Sequence, residues 1–225
     1  MPRQPRFVLE GMPHHVTQRG NYRQNVFESH IDFQKYCSWI VKYSQKYKIE
    51  IVAYCLMTNH IHFIVIPKNK TGMSLCFNMV HMIFSIYKNK QKNRKGHLWQ
   101  GRFYSSPMDE VHFLHGVRYV EQNPVRANLV DQASDYTWSS SRFHLGLEKN
   151  PIIRTTGNAH LKFDKNGYCW KDYLGQVNLS MDDTIREKTR KRQIIATEEN
   201  ISSFEEKFGI ILRPQKVGRP PRKRN

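Results

Sequence analysis

The 225-residue chain is predicted to fold as an α+β protein, on three observations. Four short stretches read as strands, near His14–Arg19, Ile49–Thr58, His60–Ile66 and Arg102–Met108, the middle two lying in an apolar, β-rich run. Two longer stretches with apolar residues at helical spacing separate the first run from the second and the third from the fourth. The resulting order of strand, helix, strand, strand, helix, strand matches the β-α-β-β-α-β pattern of a ferredoxin-like antiparallel sheet with helices on one face. A third helix follows it.

The first strand ends at the Gly20-Asn21 turn. His14 and His15 are neighbours on it and therefore face opposite sides, so they cannot both reach one metal, and each is assigned a polar or structural role. Ser29 followed by Asp32 has the spacing of a capping box, and Phe33, Tyr36, Cys37, Ile40, Ser44 and Tyr47 recur at helical intervals, which predicts a helix over about residues 30 to 47. The two central strands turn near Asn59, and Pro67 stops the second. Because side chains alternate along a strand, His60 and His62 share one face while Ile61 and Phe63 point into the core.

The second helix starts near Ser74. It carries Leu75, Met79, Met82, Ile83 and Ile86 on one side and Phe77, Val80 and Phe84 elsewhere, so it is buried on more than one face. It ends in a basic run, Lys88, Lys90, Lys92, Arg94 and Lys95, that leads into Leu98-Trp99-Gln100-Gly101-Arg102-Phe103-Tyr104. Basic groups interleaved with aromatics suit single-stranded nucleic acid, where phosphates pair and bases stack. After the fourth strand, Asp109 caps a helix that stops before Pro124. Phe113, Val117 and Val120 lie on one side of it, and His115, Tyr119 and Asn123, spaced four apart, lie on the side turned away. Beyond it, Trp138 anchors a helix start at Ser139-Ser140-Ser141, residues 144 to 170 read as irregular, Met181–Ile194 is a charged helix, and Ser203–Phe208 is a short one. A basic tail closes the sequence.

A net charge of +17 and a pI near 9.8 call for a polyanionic partner, because so large a cationic surplus repels itself in a compact protein. Nucleic acid is the expected partner and a membrane is not, since no run approaches the roughly 18 apolar residues of a spanning helix. The start, Met1-Pro2-Arg3-Gln4-Pro5-Arg6, lacks the apolar stretch of a secretory signal. Cys37, Cys55, Cys76 and Cys169 form no Cys-x-x-Cys pair, so a reduced, cytoplasmic setting is expected.

A strand bearing His60 and His62 and a helix bearing Tyr119 and Asn123 would, if they met over the sheet, unite two imidazoles, a phenol and a carboxamide. Those are the parts of a metal-assisted phosphoryl transfer with a covalent phosphotyrosine. A phenol ordinarily ionises near pH ~10, so a cation or a base must help remove its proton. His115, one turn before Tyr119, could assist or could serve in capping and packing. Two imidazoles suit zinc or a transition metal, whereas amide and phosphate oxygens suit magnesium or manganese.

Four stretches in order carry a family resemblance. They are His15-Val16-Thr17 with Arg19-Gly20-Asn21, Met57-Thr58-Asn59-His60-Ile61-His62, Gly96-His97-Leu98-Trp99-Gln100-Gly101-Arg102-Phe103, and Arg118-Tyr119-Val120-Glu121-Gln122-Asn123-Pro124-Val125-Arg126. Over roughly its first 145 residues the chain resembles the REP-associated tyrosine transposases, within the single-strand transposases that have a His-hydrophobic-His motif and one catalytic tyrosine. The resemblance implies that His60 and His62 are metal ligands, that Asn123 holds the third-ligand position, and that Tyr119 is the nucleophile. It further implies Mg2+ or Mn2+, a 5′-phosphotyrosine intermediate, and a single-stranded DNA substrate folded as an imperfect palindromic hairpin. Tyr104 departs from the lysine of many relatives, which removes a phosphate contact or replaces it by stacking. Relatives include monomers and homodimers, and both remain open.

Residues 1–130 are then the catalytic domain, 131–212 a mainly helical extension and 213–225 a basic disordered tail. The expected DNA contacts are Arg19, Lys88, Lys90, Lys92, Arg94, Lys95, Trp99, Arg102, Tyr104 and Arg126, with Arg219 and Arg222 of the tail, whose Gly218-Arg219-Pro220 core resembles a minor-groove hook. Two competing functions are a non-catalytic hairpin-binding protein and a hydrolytic metal-dependent nuclease with water as nucleophile.

Overall fold

The computed structural model describes residues 7–153 and 169–213. Strands β1 (His14–Arg19), β2 (Ile49–Met57), β3 (His60–Pro67) and β4 (Tyr104–Pro107) form an antiparallel sheet of order β2-β3-β1-β4. Helix α1 (His30–Lys46) carries the chain from β1 to β2 and α2 (Gly72–Gln91) carries it from β3 to β4. Each crossover passes over one intervening strand. The fold class and element order expected from the sequence are present, with β4 confined to the four residues before Met108 and α2 starting two residues before Ser74. At the start of α1, the Ser29 hydroxyl accepts from the Asp32 amide and the Asp32 carboxylate accepts from the Ser29 amide, closing the capping box.

The sheet is buried on both faces. Tyr36 and Ile40 of α1 with Phe77, Val80 and Phe84 of α2 pack against Val16, Ile61, Phe63 and Val65. On the other face, Phe113, Val117 and Val120 of α3 (Glu110–Glu121) meet Ala53, Cys55, Met57 and Ile64. A bulge between Ile51 and Ala53 reverses the alternation of β2, so that Ile49 and Ile51 face α1 before it and Tyr54 and Leu56 face α1 after it. Gly116 lets α3 approach closely: a Cβ there would lie 2.8 Å from Met108 Sδ and 3.4 Å from Ile64 Cδ1.

After α3, Gln122 keeps helical angles and a short helix α4 (Asn123–Arg126) restarts at once, with Pro124 in its first turn where no amide is needed. Trp138 stacks on Phe33 with centroids 4.6 Å apart before α5 (Ser141–His144). Helices α6 (Trp170–Gly175), α7 (Leu179–Lys191) and α8 (Glu198–Phe208) complete the described chain. Trp170, Tyr173 and Ile185 from α6 and α7 enter the second core, so residues beyond 130 help bury the sheet. Helix α8 begins five residues before the predicted Ser203, because its first turn, Glu198-Glu199-Asn200, is polar. It is held by Asp109, whose Oδ2 accepts from the Thr197 amide and from Asn200 Nδ2. Among the described residues, no helix is long and apolar enough to cross a membrane.

Two expected DNA contacts are internal instead. Lys88 is turned into the α1–α2 interface with a side chain 3% exposed, and its ammonium donates to Asp32 Oδ2 at 2.8 Å and Glu28 Oε2 at 3.0 Å. A cation so enclosed cannot reach a phosphate. Trp99 is buried in the α1–α2 core, packed on His81 at 4.7 Å, with its indole nitrogen donating to the His81 carbonyl. Its faces are taken by protein rather than open to a base.

Candidate active site

Antiparallel register decides which side chains share the face opposite α1 and α2. Arg19 pairs with His60, Thr17 with both His62 and Tyr104, and His15 with Ile64, so His15, Thr17, Arg19, His60, His62 and Tyr104 all point the same way. Helices α3, α4 and α7 cover that face and leave a pocket of ≈ 660 Å³ between them and the strands. Tyr119, Asn123 and Arg126 line it from α3 and α4, and Arg186, Thr189 and Arg190 line it from α7.

The His60 and His62 rings lie 4.9 Å apart. Tyr119 stands edge-on to His62 at 5.7 Å and to His15 at 5.5 Å, and it is 4% exposed. The side of α3 turned from the apolar stripe is therefore the side that meets the histidines. The Arg126 guanidinium lies 4.2 Å over the Tyr119 ring, donates through Nη2 to the Tyr119 carbonyl at 2.6 Å, and through Nη1 to Asp182 at 3.2 Å. His115 points elsewhere, with Nδ1 2.8 Å from the Tyr173 hydroxyl, which leaves it a packing role.

Burial, with Arg19 and Arg126 adding to it, holds His60 down to about 4. Burial and then Arg126 hold His15 at about 3. His62 is pushed well below its ordinary value by burial first and then by the neighbouring His60, His15 and arginines. All three rings are thus neutral near pH 7, which is the form that can ligate a cation. The His60 tautomer follows from its neighbour. Asn59 Nδ2 donates to the Arg23 carbonyl at 3.2 Å, so its Oδ1, 2.6 Å from His60 Nδ1, must accept, and His60 keeps the lone pair on Nε2.

Asn123 donates through Nδ2 to the Tyr119 and Val120 carbonyls at 3.1 and 3.2 Å. Its nitrogen end is committed to the helix, and the oxygen end has the capacity to bind a cation. Among the described residues no group of three or more His, Cys, Asp or Glu could hold a metal ion, so His60 and His62 would need a third donor of another type, and the Asn123 carboxamide oxygen is one such group in the same pocket. Two neutral imidazoles and an amide oxygen beside several arginines form a donor set suited to a divalent ion that also takes phosphate oxygens.

The pocket unites His60, His62, Tyr119 and Asn123 with Arg19, Tyr104 and Arg126. The rest of the expected set lies apart. Lys90, Lys92 and Lys95 are exposed at or beyond the end of α2, where Lys92 pairs with Glu28, and Arg94 contacts Asn89 at 3.4 Å. Arg102 is exposed outside the lining, and Arg219 and Arg222 lie outside the described residues. His14 is structural as expected, since its Nε2 accepts from the Leu9 amide at 3.2 Å and its Nδ1 donates to the Met12 carbonyl at 2.8 Å. His15 was placed with it, yet it sits in the site. In sequence Arg186, Thr189 and Arg190 belong to a charged helix with no site motif, although Arg186 and Arg190, four apart, mark one face of it.

A family model described as "Transposase IS200 like" matches residues 9–123. A Haemophilus influenzae protein named as a REP-associated tyrosine transposase is 28% identical over 111 residues, which cover 44% of this chain and 62% of the relative. The match thus spans less than two thirds of that relative's length. A solved structure of a REP-associated tyrosine transposase bound to a REP hairpin superposes with a TM-score of 0.56 at 22% identity, covering 70% of this chain and 93% of the other. At that identity the likeness is one of fold.

Proposed function

Because the chain belongs to the IS200-like transposase family, we propose that it is a metal-dependent single-stranded DNA endonuclease and strand-transferase that uses Tyr119 as its nucleophile. The observation that carries this is the placement of Tyr119 edge-on to His62 and beneath Arg126, in one pocket with His60 and Asn123. Attack of the Tyr119 oxygen on phosphorus forms the O–P bond of a 5′-phosphotyrosine and breaks the bond to the 3′ oxygen, which takes a proton and leaves as a free hydroxyl. The phenol proton passes to solvent. Arg126 stabilises the charge developing on the ring, and its bond to the Tyr119 carbonyl holds the helix turn that aims it. Mg2+ or Mn2+, held by His60, His62 and Asn123, would supply Lewis-acid polarisation of the scissile phosphate.

Arg19, Arg23, Arg186 and Arg190 line the pocket as phosphate contacts, and Tyr104, with the Arg192 guanidinium 5.0 Å over its ring, offers a face for a base. The related protein solved with a REP hairpin suggests the substrate class, a single strand folded into an imperfect palindrome and handled in the cytoplasm beside the nucleoid. Incubation with hairpin DNA and Mn2+ should yield a denaturation-resistant adduct that vanishes on chelation and in Tyr119→Phe. An adduct that persists in Tyr119→Phe would refute the assignment, and cleavage that survives in that variant without any adduct would make water the nucleophile.

A further inference from the structure

Helix α7 lies outside the span matched by the family model, yet one buried residue of it reaches the histidines. Thr189 is 2% exposed, and its Oγ1 lies 2.8 Å from His15 Nδ1. His15 Nε2 lies in turn 2.8 Å from His62 Nδ1, with the two ring planes 2° apart and the centroids 5.1 Å apart, a separation that fits a bond directed along the ring planes. Both nitrogens of His15 are therefore engaged, and it connects α7 to β3 rather than presenting a donor to the pocket. His62 keeps Nε2 alone for the pocket.

The chain of bonds has two possible polarities. A proton on His62 Nδ1 donates to His15 Nε2, and the proton on His15 Nδ1 then donates to the Thr189 hydroxyl. In the reverse sense the hydroxyl donates to His15, and the last proton sits on His62 Nε2, where it blocks ligation. A hydroxyl can end the chain in either sense because it both donates and accepts. His60 has the same provision in fixed form, since the Asn59 carboxamide dictates a proton on Nδ1.

We propose that Thr189 and His15 are positioning residues that fix the ring orientation of His62 and accommodate the tautomer that leaves its Nε2 lone pair free, so that a helix beyond the family-matched span completes the metal-binding half of the site. This rests on the reading of His62 as a ligand. Outer partners of this kind orient the ligating ring and raise its basicity.

The test compares Thr189→Val, which keeps the shape and removes the hydroxyl, with Thr189→Ser, which keeps the hydroxyl. Mn2+ affinity is read by electron paramagnetic resonance on the full chain without DNA, and ring 15N shifts of His15 and His62 are read by NMR on the metal-free protein. Thr189→Val should bind Mn2+ at least about tenfold more weakly, with Thr189→Ser restoring most of the loss. Wild-type affinity in Thr189→Val, or equal losses in both variants, would overturn the relay. If wild type and His62→Ala bind Mn2+ alike, the reading of His62 as a ligand fails. The NMR arm then decides the relay alone: ring shifts that move in Thr189→Val and return in Thr189→Ser support it, and unmoved shifts overturn it.

Discussion

Replacing Lys88 with Met separates two roles that a basic run can play. Asp32 is 1% exposed and accepts from Lys88 Nζ at 2.8 Å, from the Glu28 and Ser29 amides at 2.8 and 3.1 Å, and from the Tyr87 hydroxyl at 3.0 Å. Removing one partner of a buried pair costs roughly 3–5 kcal/mol, because a charge is left without its counter-charge. Here three donors remain on the carboxylate and the Met stem refills the packing of the lysine methylenes, so the expected loss is about 2–4 kcal/mol. Urea unfolding followed by circular dichroism measures it, with Lys90→Met as an exposed control expected to change stability by less than about 0.5 kcal/mol. Hairpin binding is then titrated against salt at a temperature where both variants are folded. A lost phosphate contact would lower the magnitude of the log–log slope by about 0.7 for a single strand. Unchanged stability together with that drop in slope for Lys88→Met would refute the internal assignment.

Two further outcomes are expected. His14 is held down to about 4 by burial, against an ordinary 6.5, despite the opposing bond to Met12, so the unfolded chain protonates first as pH falls. Its contribution is complete above pH 6.5 and is lost between 6.5 and about 4, amounting to about 3 kcal/mol, with His15 and His60 acting in the same direction. A urea midpoint that is level from pH 7 down to 4.5, or a His14 ring titrating near 6.5 by NMR, would contradict this. Arg126→Lys keeps the charge but loses the planar contact over Tyr119 and the fixed fork that also bonds its carbonyl, so single-turnover adduct formation should slow about tenfold or more. A rate within about twofold of wild type would show that the stacked cation does not assist the phenol.

Much of this fold is legible because its signals are local. The capping box at Ser29, the Thr58-Asn59 turn and the period-two placing of His60 and His62 each depend on neighbours in sequence. Signals that depend on distant partners fail. The bulge at β2 switches face parity, and since all nine residues of that strand are buried, hydropathy carries no trace of the switch. Lys88 belongs by composition to a solvated basic run, and only the approach of Asp32 and Glu28 from across α1 turns it inward. His15 shares strand parity with Arg19, which would have placed it on one face with that arginine, but its role appears only when β3 pairs beside it in register. Tyr119 lies off the apolar stripe of α3 and is nevertheless buried, because a second layer of helices covers the side that a two-layer fold would leave wet.

The carbonyl of Tyr119 accepts from both the Asn123 carboxamide and the Arg126 guanidinium, one residue on α3 thereby gripping two on α4. Mechanically, the Tyr119 ring, the Asn123 amide and the cation above the ring are a single cassette, laced across the Gln122 junction of the two helices. An excursion that carries Tyr119 away from the sheet would therefore take Asn123 away from His60 and His62 in the same stroke. Under the proposed mechanism, departure of a strand held on Tyr119 and loss of the Asn123 donor would then be one movement, so that a cut end would leave only from a site that had already come apart.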